Sequence, residues 1–215
     1  MTTQSRPDET ARHSGTFRVH GRVGDVRGSP DRARLRVFDV ETGTPRWVTV
    51  GDGCPDRGAV ASSWPGTLLD GTVVGGGGDG LWTLQSATVR ERCTLALGRV
   101  ETELPQAVWD VWANRDAGKR RVASFQPELS CEIHVSAPPP DCEYRAVWRQ
   151  MLDGGYSFEP WFDELVELDD PARHLTVVSP VDREVFVFFA TPGDGPVSTV
   201  IDRRERLGLP AFPEA

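Results

Sequence analysis

The sequence predicts an α+β protein in two parts. A small antiparallel β-barrel comes first, OB-like or SH3-like in strand count. A domain with helices on one face of a mostly antiparallel sheet follows. Three observations predict this. Apolar and polar residues alternate with period two from 17 to 91, broken by turn residues. Helical spacing begins only after 101. Strand-like apolar runs then return, ending in PVSTVID at 196–202. The chain of 215 residues is long enough for two small domains.

Residues 1–15 offer no apolar face and are expected to be a disordered lead-in. The barrel is expected over 16–100. Its first strand is FRVHGRV, 17–23, with Phe17, Val19 and Val23 facing in and Arg18, His20 and Arg22 facing out. Gly28-Ser29-Pro30-Asp31 is turn chemistry. A second strand over 33–40 and a third over 46–50 flank the turn Glu41–Pro45, which reads as a hairpin. A loop over 51–58 and a further pair of strands, 68–74 and 81–91, complete the barrel.

Between that last pair lies VVGGGGDGLW, with five glycines in the six positions 75–80. A phosphate-binding P-loop would continue with Gly-Lys-Ser/Thr and open a helix. Here Leu81-Trp82-Thr83 follow, and the chain alternates at period two, so the tract reads as a hairpin connection. A dinucleotide-binding turn fails for the same reason.

A connecting helix is expected over 101–119, with Leu104, Val108, Val111 and Trp112 on one stripe. The α+β domain is expected over 120–203. It holds a strand at 130–137, then a helix after Asp141 with Tyr144, Val147, Trp148 and Met151 on its apolar face. A second helix starts near Ser157, and strands follow at 174–180, 183–190 and 196–202. EVFVFFA is apolar on both faces, which predicts a central strand. Residues 204–215 read as a tail.

Charge divides unevenly. Residues 1–100 carry 13 Arg against 11 Asp and Glu, while 101–215 carry 11 Arg and Lys against 21. No run of 18 apolar residues and no apolar leader occurs, so a cytoplasmic protein without membrane contact is expected. Cys54, Cys93, Cys131 and Cys142 form no C-x-x-C pair and are expected to be buried free thiols.

Most enzyme chemistry is missing from the pattern. There is no G-x-S-x-G elbow and no EF-hand loop. The acidic run Asp163–Asp170 reads as the wet face of a helix. No metal or other cofactor is expected. One enzymatic alternative survives, in which Cys131 or Cys142 works with His134 or His174 at an inter-domain site, the two histidines lying on strands that could be neighbours.

The positive feature is an arginine face. Arg18, His20 and Arg22 on one strand, and Arg34 and Arg36 on the next, would line one side of the barrel. Trp47 and Trp82 would add stacking rings, and Arg120 with Arg121 a further basic patch. Such surfaces bind single-stranded nucleic acid. The expected function is therefore that of a non-enzymatic binding or adaptor protein, with single-stranded nucleic acid as a candidate contact of the arginine face; the inter-domain enzyme and a subunit that binds a protein partner are the alternatives.

GTFRVHGRV (15–23), RLRVFDVETG (34–43), PGTLLDGTV (65–73), LWTLQSATV (81–89), EIHVSAP (132–138), MLDGGYSFEPWFDEL (151–165) and DREVFVFF (182–189) together resemble an uncharacterised protein family of haloarchaea. The resemblance implies a domain of unknown function in a salt-rich cytoplasm. It implies no activity and no catalytic residues. The positive N-terminal half departs from the acidic surface that such a setting favours.

Overall fold

A computed structural model describes residues 11–23, 34–75, 81–101, 103–104, 106–114, 121–126, 129–162 and 172–192. The chain divides into two compact units, Met1–Glu91 and Arg92–Ala215. It is a mixed α+β chain in which strands dominate.

In the first unit five strands form a closed ring: β1 (Ala11–Val23), β2 (Arg34–Asp39), β3 (Pro45–Val50), β4 (Leu68–Gly75) and β5 (Leu81–Glu91). The order around the ring is β1-β2-β3-β5-β4, and β4 pairs back onto β1. A short helix, α1 (Arg57–Ala61), sits between β3 and β4 in the chain and begins inside the stretch 51–58 read as a loop. The expected all-antiparallel barrel needs one correction. β3 and β5 run parallel, from Trp47↔Leu81 to Val50↔Leu84. The reason is topological, because the β3–β4 connection steps past β5, so the strand that closes onto β3 arrives in the same direction.

The inside of the ring is filled by alternate residues. Phe17, Val19, Leu35, Val37, Val48, Leu69, Val73 and Leu84 are all wholly buried. Those side chains come from every strand, so each strand contributes its inward set to one core. The lead-in expected over 1–15 is corrected at Ala11–Gly15, which belong to β1 and pair with β4, the ladder running from Ala11↔Gly75 to Arg18↔Leu68, while residues 1–10 lie outside the described residues.

The glycine tract does join two antiparallel strands. Gly75 lies opposite Trp82, and β5 begins at Leu81, so a strand and not a helix follows the tract. Residues 76–80 themselves lie outside the described residues. Gly75 has φ +145, and a Cβ there would lie 3.0 Å from the Leu81 carbonyl oxygen, so the entry to this hairpin needs glycine. Gly71 marks the tightest point of the wall. It stands opposite both Gly15 and Ala87, and a Cβ on it would lie 2.5 Å from the Ser86 carbonyl oxygen. Three small residues in a row let neighbouring strands close on each other there.

The second unit holds a five-stranded sheet in the order β6-β9-β10-β8-β7. Its strands are β6 (Thr94–Val100), β7 (Arg121–Gln126), β8 (Leu129–Ser136), β9 (Ala172–Pro180) and β10 (Phe186–Pro192). The pairs are antiparallel except β6 with β9. β6 falls inside the range 16–100 expected for the barrel, though no strand of its own was expected there. It pairs instead with β9, from Thr94↔His174 to Val100↔Pro180. β7 opens on Arg121, read in the sequence only as part of a basic patch. Its sequence RVASFQ is too short and too polar to announce an edge strand.

The helices are α2 (Gln106–Ala113), α3 (Tyr144–Leu152) and α4 (Glu159–Phe162). They do not share one face, which corrects the expected layering. Phe186, Phe188 and Ala190 of β10 pack with Val147, Met151 and Phe162 of α3 and α4. Val187 and Phe189, pointing the other way, pack with Val108 and Val111 of α2. Central placement of β10 is as predicted, and its two apolar faces are the reason both sides carry helices. Aromatic rings form one interface: Trp161 stacks on Phe188 with centroids 3.9 Å apart, and Tyr144 on Phe186 at 5.1 Å. The expected strand 196–202, the tail 204–215 and the acidic run 163–170 lie outside the described residues.

Replacing Gly71 with Ala should destabilise the first unit by about 1–3 kcal/mol, the usual penalty for forcing an extra carbon into a closed wall. Denaturant unfolding followed by tryptophan fluorescence would read it. A midpoint equal to the parent's would contradict the tight strand contact.

Candidate functional site

The outer face of β2 and β3 carries Arg34, Arg36 and Trp47. Leu35 and Val37 face the core, so Arg34 and Arg36 face out. Across the ladder Arg36 stands opposite Trp47, and Arg34 opposite Thr49. The Arg36 guanidinium lies 5.3 Å from the Trp47 ring centroid. That is cation–π distance, and it holds the ring and the charge side by side on one surface. Arg34 is exposed, and Trp47 is half-buried.

β1 contributes less than its alternation suggests. Its pairing with β2 runs Phe17↔Asp39, Arg18↔Phe38 and Val19↔Val37, then slips, resuming at Gly21↔Arg36. His20 is therefore an extra residue in a β-bulge. Past the bulge every side chain changes face. Arg22 pairs with inward-facing Leu35, and Val23 with outward-facing Arg34, leaving Val23 58% exposed. The expected outward set Arg18, His20 and Arg22 is thus not one face.

Arg18 points outward but is covered. It is 2% exposed and donates to the Gly66 carbonyl oxygen at 2.8 Å. The chain before β4 lies along β1 here, with Gly66 N donating to the Val19 carbonyl at 2.7 Å and Val19 N donating to that of Thr67 at 2.9 Å. His20 stacks on Phe38 with centroids 5.2 Å apart. Burial, and then the nearby Arg18 and Arg36 charges, push its pKa down from 6.5 to about 3. His20 is a neutral aromatic spacer under these arginines and adds no positive charge.

Trp82 belongs elsewhere too. It stands opposite Val48 and packs on the barrel core, with the Arg46 guanidinium 5.2 Å from its ring. Arg46 belongs to a polar cluster at the end of the barrel that sequence reasoning missed. The wholly buried Asp39 accepts hydrogen bonds from Arg46 Nη1 at 3.0 Å and from the Glu41 and Thr42 backbone at 3.1 and 3.0 Å. His13 Nε2 bonds the same carboxylate, so His13 is part of a strand and not of a lead-in. Burial alone would raise the Asp39 pKa. The bonds from Thr42, His13 and Arg46 outweigh it and hold the pKa below its ordinary value. No single residue signals this cluster in the sequence, because its members come from β1, β2 and β3.

In the second unit Arg121 starts β7, and Arg120 lies outside the described residues. The two histidines of the enzymatic alternative are kept apart. β10 separates β8 from β9, so the strands are not neighbours. His134 stands opposite Phe188 on the side of α3 and α4, and meets Trp161 edge-on at 5.0 Å. His174 stands opposite Thr191 and bonds Thr94 Oγ1 through Nδ1 at 2.9 Å. Neighbouring Leu175 faces α3 and α4, which puts His174 on the opposite side. Cys131 is on β8, paired in register with Ala123. Cys142 is exposed, against the expected buried thiol, while Cys54 and Cys93 are buried. Among the described residues no three His, Cys, Asp or Glu side chains converge as a metal site, and no helix is long and apolar enough to cross a membrane.

No family profile and no curated protein matches the chain. A crystal structure of a Bacteroides vulgatus protein of unknown function, described as DUF1344, is similar at 13% identity and a TM-score of 0.25. The alignment covers 86% of this chain and 93% of that one. A likeness that weak carries no argument about the fold or the site.

The buried His20 predicts a pH signature. The unfolded chain binds a proton near pH 6.5, whereas the folded chain resists protonation to about pH 3. Its contribution is therefore fully present above 6.5 and declines as the pH falls towards 3. His20→Phe, which keeps a ring against Phe38, should flatten the loss of stability across that window. An unchanged pH profile by denaturant unfolding would refute the assignment.

Proposed function

We propose that the first unit is an OB-like barrel that binds single-stranded nucleic acid on the outer face of β2 and β3. The observation that carries this reading is the Arg36–Trp47 pair, with Arg34 beside it, on those two strands of a five-stranded ring. In OB-folds the face of strands 2 and 3 is where oligonucleotides lie. The ring order, the β3–β4 crossover carrying α1 and the parallel closure of β3 on β5 support the OB-like assignment over the SH3-like one. An aromatic ring beside guanidinium groups suits a single strand, whose bases stack and whose phosphates need countercharge.

The binding set is narrower than the sequence suggested. Arg34, Arg36 and Trp47 form its centre. Arg18 and His20 flank it on β1, and Arg22, Trp82 and Arg121 are not part of it. The protein acts as a binding module in this reading. A salt-rich cytoplasm is its proposed setting, supported by the arginine bias of 23 Arg to one Lys and by the haloarchaeal resemblance.

Fluorescence anisotropy with labelled oligo-dT and oligo-U, repeated across salt, tests the proposal. Affinity should fall with salt, with a log–log slope of about −0.7 per neutralised phosphate. Trp47→Ala should cost about 1–3 kcal/mol of binding free energy. Arg34→Ala with Arg36→Ala should weaken binding and flatten the salt slope. No binding to either oligomer at low salt would end this reading.

A further inference from the structure

A groove of about 550 Å³ opens on the second unit between β6, α3 and the β9–β10 connection. We propose that it binds a small organic phosphate, with Arg145 and Arg149 gripping the phosphoryl group. Four arginines line it: Arg99, Arg145, Arg149 and Arg183. Asp182 and Glu184 are the opposing charges, so the groove is net +2. That sign runs against its surroundings, since residues 92–215 carry 13 Arg and Lys against 21 Asp and Glu. A net charge of +2 matches a doubly charged phosphoryl group.

Two of the arginines are engaged. Arg99 Nη2 donates to the Val181 carbonyl at 3.3 Å. Arg183 lies 4.1 Å over the Trp109 ring and 3.8 Å from the Asp182 carboxylate. Arg145 and Arg149 are exposed, and among the described residues neither makes an ion pair.

Arg145 is also badly placed for the helix that carries it. It lies in the first turn of α3, the positive end of the helix dipole, where Glu143 at the N-cap is the nearby acidic residue. It is four residues before Arg149, a like-charge spacing that destabilises helices. A cation in the first turn and a like-charge pair at i, i+4 are local departures of the kind that functional sites carry. Spacing i, i+4 sets the two Cβ atoms about 5–6 Å apart, so both guanidinium forks can close on one tetrahedral anion.

The remaining lining accounts for the organic part of the ligand. Leu152 is 54% exposed and Val181 48% exposed at the groove, while Trp148 is held in place by stacking on Phe186. The volume is that of a small-molecule site.

The test is calorimetric titration of the full chain at low ionic strength with phenyl phosphate, with inorganic phosphate as competitor. Saturable binding that inorganic phosphate displaces is expected. Arg145→Gln with Arg149→Gln should lower the affinity about tenfold or more, the scale of lost charged hydrogen bonds. Arg145→Gln alone should melt no lower than the parent, because a residue kept for a ligand costs the free helix. Trp47→Ala should bind phenyl phosphate like the parent, which separates this groove from the barrel face. Absence of saturable binding, or equal binding by the double variant, would overturn the proposal.

Discussion

The β1–β2 ladder runs in register to Val19↔Val37 and resumes at Gly21↔Arg36, with His20 left over between them. That one surplus residue governs how the first unit presents its chemistry. Before the slip, Phe17 and Val19 fill the core and Arg18 faces out. After it, Arg22 shares the face of Leu35, and the outward place opposite Arg36 falls to Gly21. A glycine there leaves room beside Arg36, whose guanidinium turns to Trp47 on the other flank. The bulge thus moves the charged surface off β1 and onto β2 and β3.

Ring closure imposes a second demand. Five strands make a narrow barrel, and its wall must bend where strands press together. The row Gly15, Gly71 and Ala87 meets this by leaving out side-chain volume. At one end, the buried Asp39 collects Arg46, His13 and two backbone amides, so the β2–β3 turn and the early part of β1 are tied by one carboxylate. Satisfying that carboxylate so fully is what makes its burial tolerable.

In the second unit the organising element is β10. Its Phe186 and Phe188 receive an aromatic layer from α3 and α4, while Val187 and Phe189 receive α2. Burying both faces of one strand forces helices to both sides. It also fixes the histidines, because the strand that separates β8 from β9 separates His134 from His174. With α3 anchored through Tyr144, Val147, Trp148 and Met151, its opposite face is left to water, and there Arg145 and Arg149 stand.

Local pattern was enough for whatever depends on neighbours in the chain. Period two marked most of the barrel strands, the glycine tract declared a hairpin because a strand alternation follows it, and the doubly apolar EVFVFFA declared a central strand. Arg34 and Arg36 were legible as residues sharing one face of β2 for the same reason. Pairing between distant segments was not legible. TLALGRV follows β5 directly, yet its partner is β9, some eighty residues later by the Thr94–His174 bond. The bulge at His20 leaves no trace in the alternation of FRVHGRV, because a slip is a relation between two strands. Residue type and period determined the elements and the inward sets. Register, strand order and the cover laid over Arg18 were decided only in three dimensions, where hydrogen-bond pairing and burial are settled between residues that the sequence keeps apart.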